Sequence, residues 1–380
     1  MEKIVLLNDS FVSEVLLTTL EKEQISAFAE GSLRKKLVER KIPVLGLKEA
    51  KQKISSNKCL IYSNAENFLP LVSQNHKSKG FVKSIKLFKN KFLFRNLTSS
   101  FCPGFFFRQI KLRDADLFKP QKGKEFILKP SIGFLSLGIK KFSCRESFEN
   151  AVSEALKEIQ AYRKAFDSSI LDESNFLIEE IIEGEEFACD AYFDKKGKPV
   201  ILGIYCHPFR DKEDVRDVVY FTGKSVIEKN LEKVNDFLRN VFQKTKLQNF
   251  PVHFEFRITP QDTLIPIEIN PLRFGGFGLA DLTFHCFGIN SYEFFLNQKK
   301  PDWKEILANS RNNFHAFVLG RMENIQIPNI EKFKQTFRKL NAFVELDYKT
   351  FPVFCTAYSE SPDLNELLKY LYFDFGEYEL

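Results

Sequence analysis

Two adjacent segments near residue 260 place carboxylates and an amide where they could share a metal ion. The segments are residues 253–258 (His-Phe-Glu-Phe-Arg-Ile) and 264–270 (Leu-Ile-Pro-Ile-Glu-Ile-Asn), and both alternate like strands of a hairpin. Because side chains alternate between the two faces of a strand, Glu255, Glu268 and Asn270 fall on matching faces. A tight turn centred on residues 261–262 then predicts that Glu255 faces Glu268.

Two carboxylates that face each other on neighbouring strands are stabilised by a cation between them. Without a cation they repel each other by up to about 1 kcal/mol, and by more if the face is buried. Mg²⁺ binds carboxylate and amide oxygens and keeps positions open for phosphate oxygens, with Mn²⁺ as the alternative metal. A solvent-facing strand pair, in which each glutamate meets an arginine, is the other interpretation.

A glycine-rich segment follows the candidate metal face. Residues 270–278 read Asn-Pro-Leu-Arg-Phe-Gly-Gly-Phe-Gly, so Arg273 lies three residues beyond the amide. Glycines let the backbone approach a ligand closely, and a guanidinium binds phosphate or carboxylate through two parallel hydrogen bonds. A ligand carrying either group is expected here.

Two earlier segments suit a nucleotide. A strand over residues 124–129 ends in Lys129 and leads into a Ser/Gly loop at 131–138. A lysine beside such a loop can neutralise phosphates while backbone N–H groups bind the outer oxygens, although a surface lysine fits as well. Further on, Gly184 interrupts a strand whose backbone could contact an adenine edge, and Glu186 beyond it could bind a ribose.

Taken in this order, the segments resemble the ATP-grasp superfamily over about residues 88–290. The Asn-Pro-x-Arg ending looks most like the branch of carbamoyl-phosphate-synthase-like proteins and L-amino-acid ligases. The resemblance implies a set of nucleotide-binding residues: Lys91, Lys129, Ser136, Glu179, Glu180, Ile182 and Glu186. It implies Mg²⁺ ligands at Glu255, Glu268 and Asn270, and catalytic cations at Lys129 and Arg273.

The resemblance also implies what each nucleotide contact does. Lys91 matches the first phosphate lysine, with Lys89 as a rival, and Lys129 matches the lysine of the α- and β-phosphates. Ser136 matches the loop over the phosphates. Arg273 matches the group that stabilises the transferring phosphoryl group or the acyl phosphate.

The adenosine contacts are implied in the same way. Glu179 matches the contact to the adenine amino group, and Glu180 and Ile182 match the main-chain adenine contacts. Glu186 matches the ribose acid, with Glu185 as a one-residue alternative.

The expected fold class is α/β, in the α+β form of the ATP-grasp fold. The alternation of strands at 3–7, 42–45 and 58–62 with helices at 11–29, 31–40 and 64–74 predicts a small N-terminal parallel domain. The expected domains are residues 1–88, a two-lobed ATP-grasp domain at 89–300 with its lid lobe at about 111–180, and a short α+β extension at 301–380.

Composition narrows the class of protein. The chain has 380 residues, a net charge of +6 and no apolar run long enough to span a membrane. Its start lacks the form of a signal peptide, so a cytoplasmic protein is expected. Seven dispersed cysteines without a Cys-x-x-Cys pair argue against a disulfide framework or a zinc site. A basic, Phe-containing stretch at 77–128 leaves nucleic-acid binding as an alternative, but no nucleic-acid motif accompanies it.

The resemblance implies an ATP-dependent carboxylate-amine ligase. It would form an acyl phosphate and then an amide bond, using ATP and Mg²⁺ with a small carboxylate and an amine, such as an amino acid or peptide. No nucleic-acid or membrane partner is expected, and a homodimer is suggested by analogy. The alternatives are an ATP-grasp carboxylase or phosphotransferase, and a non-catalytic ATP-binding subunit.

Overall fold

The protein is described by a computed structural model over residues 1–56, 58–111, 118–133, 138–162, 174–214, 216–323, 327–348 and 352–379. Its contacts form two compact units. The first comprises Met1–Val82, Glu185–Glu255 and Asn270–Leu380, and the second comprises Lys83–Gly184 and Phe256–Ile269. The domain boundaries at 88 and 300 remain predictions.

The strands, in chain order, are β1 (Glu2–Leu7), β2 (Ala27–Ala29), β3 (Cys59–Ser63), β4 (Phe107–Lys111), β5 (Phe126–Pro130), β6 (Lys140–Phe142), β7 (Asn175–Glu180), β8 (Glu185–Phe193), β9 (Pro199–His207), β10 (Val219–Gly223), β11 (Phe250–Ile258), β12 (Leu264–Pro271), β13 (Phe314–Arg321), β14 (Leu340–Glu345) and β15 (Val353–Ser361).

The helices are α1 (Glu14–Glu23), α2 (Gly31–Glu39), α3 (Leu47–Ile54), α4 (Leu69–Asn75), α5 (Lys79–Lys89), α6 (Lys91–Thr98), α7 (Arg145–Tyr162), α8 (Lys224–Thr245), α9 (Asp281–Phe287), α10 (Ser291–Leu296), α11 (Trp303–Asn309), α12 (Ile330–Lys334) and α13 (Leu364–Leu368). None of those in the described residues is both long and apolar enough to cross a membrane.

The N-terminal part forms the small parallel sheet that the sequence predicts, with described strands in the order β2-β1-β3. The predicted helix over 11–29 is wrong at its end. Gln24 has a left-handed backbone (φ 51°) that terminates α1, and the fully buried β2 then pairs with β1. The predicted strand at 42–45 contributes one bridge, from Val44 to Ala27.

A large sheet carries most of the remaining strands. Among the described residues its order is β12-β11-β8-β9-β10-β13-β15-β14. The pairs β8–β9, β10–β13 and β13–β15 are antiparallel, and β8 and β9 are buried along nearly their whole length. The outer strands β11 and β12 begin in one unit and end in the other, so the hairpin contributes residues to both.

The second unit has its own sheet and core. Its described strands have the order β4-β7-β5-β6, and every pair is antiparallel. Phe118, Phe126, Phe142 and Phe148 form a cluster of ring contacts that packs α7 against this sheet. Much of the unusual phenylalanine content in this region is therefore structural.

The hairpin turn differs from the predicted one. The Thr259 N–H donates to the Thr263 carbonyl (3.0 Å), and Asp262 adopts φ +61°, so three residues form the loop. At the other end, the Leu272 N–H donates to the Pro251 carbonyl (2.9 Å), which is the predicted register. The pairing register at the two ends of the hairpin differs by one residue, so the strands carry an irregularity between these ends. The pairing of Glu255 with Glu268 remains a prediction.

Candidate functional site

Helix α6 presents two cations on one face in the second unit. Asn90 caps the helix, its side chain accepting from the Leu93 N–H (3.0 Å), so α6 starts at Lys91 and is separate from α5. Lys91 and Arg95 are four residues apart and share a face.

Both cations contact strand β12. Lys91 forms an ion pair with Glu268, and Arg95 Nη1 donates to the Pro266 carbonyl (2.7 Å). Pro266 and Glu268 are two residues apart, so they lie on one face of the strand. Helix α6 and strand β12 are therefore in contact at two places along these faces.

Glu268 is held as an anion. Burial acts to raise the pKa of Glu268, but the attraction of Lys91 and the more distant Lys89 and Lys129 outweighs it and lowers the pKa to about 2. Lys89, the alternative to Lys91 as the first phosphate lysine, donates from Nζ to the Gly133 carbonyl (3.3 Å). A carboxylate that stays ionised under neutral conditions can serve as a metal ligand.

Lys129 is buried at the end of β5 and forms an ion pair with Glu179 on the neighbouring strand β7. Arg95 Nε donates to the same glutamate (2.5 Å). Burial acts to raise the pKa of Glu179, yet the two cations lower it below its ordinary value. Burial and the charge of Arg95 keep the pKa of Lys129 below that of a free lysine, although Glu179 acts to raise it.

Together these side chains form a cation cluster. Lys91 pairs with Glu268, and Arg95 and Lys129 both pair with Glu179, so two carboxylates hold three cations in place. Cations fixed in this way suit an anionic ligand, and the phosphate contacts predicted for Lys91 and Lys129 remain predictions.

The predicted adenine-contact residues lie beside this cluster. Glu180 accepts from the Phe106 N–H (2.9 Å) and pairs with Lys124 (3.2 Å). The Ile182 carbonyl accepts from Arg257 Nη1 (2.6 Å). The roles predicted for Glu179, Glu180 and Ile182 remain predictions. Ser136 lies outside the described residues.

The ribose acid candidates differ in environment within the first unit. Glu186 lies 3.2 Å from His207 Nδ1, and its side chain is 15% exposed. Its neighbour Glu185 is far more exposed and lies 3.5 Å from Lys229. Since the more buried carboxylate suits recognition of a hydroxyl group better, the geometry favours Glu186 over Glu185.

Glu255 and Asn270 lie together in the first unit. Asn270 Nδ2 donates to Glu255 Oε1 (3.2 Å), and His253 Nε2 is 3.6 Å from the same oxygen. His253 Nδ1 is 2.7 Å from Asp190 Oδ1, so Asp190 orients the imidazole. The two predicted ligands are thus adjacent, as a shared cation requires.

Asp190 also fixes the glycine-rich segment. Its carboxylate accepts from the Gly275 N–H (2.8 Å) and from the Tyr205 hydroxyl (3.0 Å). Arg273, at the start of this segment, pairs with Glu66 (3.4 Å) and donates to the Phe274 carbonyl. To bind an anionic group of a ligand, the Arg273 side chain would have to release Glu66.

The donor set suits magnesium. Glu255, Glu268 and Asn270 offer hard oxygen ligands, and the depressed pKa of Glu268 keeps one of them charged. No group of three or more His, Cys, Asp or Glu side chains with metal-site geometry occurs in the described part of the chain. The two acids and the amide remain the predicted ligands of a cation that would take its other ligands from phosphate and water.

Two residues of this site were missed by the sequence analysis. Arg95 lies one helical turn after Lys91, and an arginine on the buried face of an amphipathic helix is a signal that could have found it. Asp190 stands in an otherwise apolar run, Phe-Ala-Cys-Asp-Ala-Tyr, where a charged residue needs buried partners.

The comparison with protein families decides the class of domain. Residues 123–281 match the model of the ATP-grasp domain. Residues 123–281 are an ATP-grasp domain. This domain contains Lys129, Glu179, Glu186, Glu255, Glu268 and Asn270, and Lys91 lies before it. No curated protein matches the sequence.

Solved structures extend the ATP-grasp fold to almost the whole chain. The L-amino acid ligase from Bacillus licheniformis is 14% identical with a TM-score of 0.67, covering 98% of this chain and 96% of that one. The N5-carboxyaminoimidazole synthase from Aspergillus clavatus, solved with ADP and 5-aminoimidazole ribonucleotide, is 12% identical with a TM-score of 0.67, covering 97% and 96%.

A third structure is the biotin carboxylase domain of the 2-oxoglutarate carboxylase from Hydrogenobacter thermophilus, solved with MgADP and bicarbonate. It is 13% identical with a TM-score of 0.63, covering 95% of this chain and 86% of that one. The prediction of an ATP-grasp protein with a ligase-type fold is confirmed. At these identities the reaction itself is a matter for proposal.

Proposed function

We propose that the protein is an ATP-dependent carboxylate-amine ligase. The observation that carries the proposal is the cation cluster of the second unit, where Lys91 pairs with an ionised Glu268 and Lys129 pairs with Glu179. These cations would bind the phosphates of ATP, and Glu268 would supply a ligand for the metal that accompanies it. The ATP-grasp domain and the similarity to an amino acid ligase support the same assignment.

The proposed reaction has two steps. A substrate carboxylate oxygen attacks the γ-phosphorus of ATP, the bond to the β–γ bridging oxygen breaks, and ADP leaves. An amine then attacks the acyl carbon, loses a proton, and expels phosphate, which carries away one carboxylate oxygen. Both steps place negative charge on phosphoryl oxygens, which fixed cations stabilise.

The chain's own residues have distinct roles in this proposal. Lys91 and Lys129 bind the phosphates, and Arg273 stabilises the transferring phosphoryl group and the acyl phosphate. Glu255, Glu268 and Asn270 would hold Mg²⁺, whose chemistry is to neutralise phosphate charge. The glycine-rich segment, fixed by Asp190 at Gly275, lets the substrate approach its backbone closely.

A pooled-substrate assay tests the proposal. Purified protein with Mg²⁺ and ATP is given a mixture of amino acids, ADP formation is followed, and the products are analysed by mass. The proposal predicts amino-acid-dependent ADP formation and a product lighter by one water than its two substrates. ADP formation that ignores every amine and carboxylate would contradict it.

Carboxylation is the second candidate, because two of the similar structures are named for it. Bicarbonate is then the carboxylate that attacks ATP. The same assay separates the two, since a carboxylase forms ADP only when bicarbonate is added and its product gains the mass of carbon dioxide.

A further inference from the structure

Arg95 lies at the centre of the cation cluster without a predicted role. It is 2% exposed and contacts three partners in the second unit. Nε donates to Glu179 Oε1 (2.5 Å), Nη1 donates to the Pro266 carbonyl (2.7 Å), and the guanidinium lies 4.6 Å from the centre of the Phe105 ring. It shares Glu179 with Lys129, whose ammonium pairs with Oε2.

The shared contact matters because the Lys129 ammonium cannot pair fully with both Glu179 and a phosphate at the same time. If its ammonium turns to a phosphate, Glu179 loses its partner at Oε2 while remaining 1% exposed. Leaving a buried carboxylate without a counter-charge is strongly destabilising. Phosphate binding would therefore be opposed by Glu179 unless another cation compensates it.

Arg95 has the atom needed for that compensation. In a guanidinium, Nε–H and one N–H of Nη2 point from the same edge and fit the two oxygens of a carboxylate. Nε already contacts Oε1 of Glu179, and Nη2 has no hydrogen-bond partner among the described residues. The donor next to the existing contact is thus available for the oxygen that Lys129 would give up.

We propose that Arg95 is a positioning residue that takes over Glu179 through a two-point contact when Lys129 turns to the phosphates of ATP. This inference rests on the proposed function, since it requires nucleotide at Lys129. Arg95 acts through Glu179 and Lys129 and touches no substrate atom. It makes Lys129 available without leaving a buried charge uncompensated.

A purely structural role for Arg95 makes a different prediction. Its contacts with the Pro266 carbonyl and the Phe105 ring would anchor α6 on β12 whether or not position 179 is charged. The charge of Glu179 is therefore the variable that separates the two roles, and a double-mutant cycle measures it.

The experiment compares Arg95→Gln in two backgrounds, wild type and Glu179→Gln, by the dissociation constant of Mg·ATP. In the wild-type background the exchange should weaken binding at least about tenfold, because Glu179 then retains Lys129. In the Glu179→Gln background it should weaken binding less than about threefold, because no carboxylate remains to be compensated. Equal losses in the two backgrounds would overturn the proposal.

Arg95→Lys is measured in the same two backgrounds, so that the test does not depend on the folding of Arg95→Gln. Arg95→Lys keeps the charge but lacks the two-point geometry, so its dissociation constant should lie between those of wild type and Arg95→Gln. Its effect should also disappear beside Glu179→Gln, and a persistent effect would overturn the proposal. Absence of Mg·ATP binding by the wild type would instead refute the proposed function, and with it this inference.

Discussion

Lys91 and Glu268 form an ion pair in which a predicted phosphate lysine neutralises a predicted magnesium ligand. On binding, a phosphate of ATP would become the partner of Lys91, and the metal ion would become the partner of Glu268. Binding of either alone separates the other charge from its partner in this ion pair, which is unfavourable in a partly buried site. Nucleotide and metal are therefore expected to bind together.

The first prediction concerns Lys129. Lys129→Met should weaken Mg·ATP binding at least about 100-fold, because it removes a buried ammonium that is proposed to contact the α- and β-phosphates. Folding should persist, since Arg95 still compensates Glu179. Binding is measured by calorimetry and folding by circular dichroism. Lys122→Met, at an exposed lysine of the same unit, is the matched control; equal affinities for the two variants would remove Lys129 from the site.

The second prediction concerns Glu268. Glu268→Gln keeps the shape of the side chain but removes the charge, so Mg²⁺-dependent ADP formation should fall at least about 100-fold. The measurement is turnover against magnesium concentration. Glu146→Gln, at an exposed glutamate of helix α7, should behave as wild type. If Glu268→Gln turns over normally, the metal assignment is wrong.

The third prediction concerns Asp281, which is buried beside the Ser13 hydroxyl (2.7 Å) in the first unit. Burial raises the pKa of Asp281 from 3.8 to about 7. The folded state then holds a proton that the unfolded chain releases, so stability falls as pH rises from about 4 to 7 and stays lower above 7. Asp281→Asn should remove this dependence and gain about 4 kcal/mol at pH 8 relative to pH 4.

Unfolding in denaturant at a series of pH values checks this prediction. The difference in unfolding free energy between Asp281→Asn and wild type should grow in favour of the variant up to about pH 7. Parallel pH profiles for the two proteins would show that Asp281 titrates near its ordinary pKa.

Some local features of the candidate site follow from the sequence. Lys129 lies near the end of strand β5, and Asn270 on β12 contacts Glu255 on β11, while the roles of these residues remain predictions. The one-residue irregularity of the hairpin could not be predicted, because it depends on how β11 and β12 pair at both ends. The buried β2 was hidden because Ala27-Phe-Ala continues a helix-like apolar pattern.

Arg95 and Asp190 could not be placed from the sequence for a different reason. Each acts through partners far away along the chain, Arg95 through Glu179 and Asp190 through His253 and Gly275. Such contacts depend on packing between elements that local pattern does not encode. Their charged groups in apolar surroundings signal burial, but not the identity of their partners.

The fourth prediction concerns Gly184, where β7 passes into β8. Its φ is +116°, and a Cβ there would lie 2.1 Å from the Ile258 carbonyl oxygen. Gly184→Ala should therefore destabilise the protein by about 3 kcal/mol or more, through both strain and overlap. Gly80→Ala is the control, because its added Cβ meets nothing closer than 3.9 Å and helix α5 favours alanine. Equal unfolding midpoints for the two variants would contradict the described turn.

In the proposed reaction, a substrate carboxylate takes the γ-phosphoryl group of ATP, and an amine then displaces the phosphate. The most direct measurement supplies amino acids labelled with oxygen-18 in the carboxyl group and unlabelled bicarbonate, and then analyses the released phosphate by mass. The account predicts phosphate that carries one labelled oxygen for each amide bond formed. Unlabelled phosphate in step with ADP would contradict it.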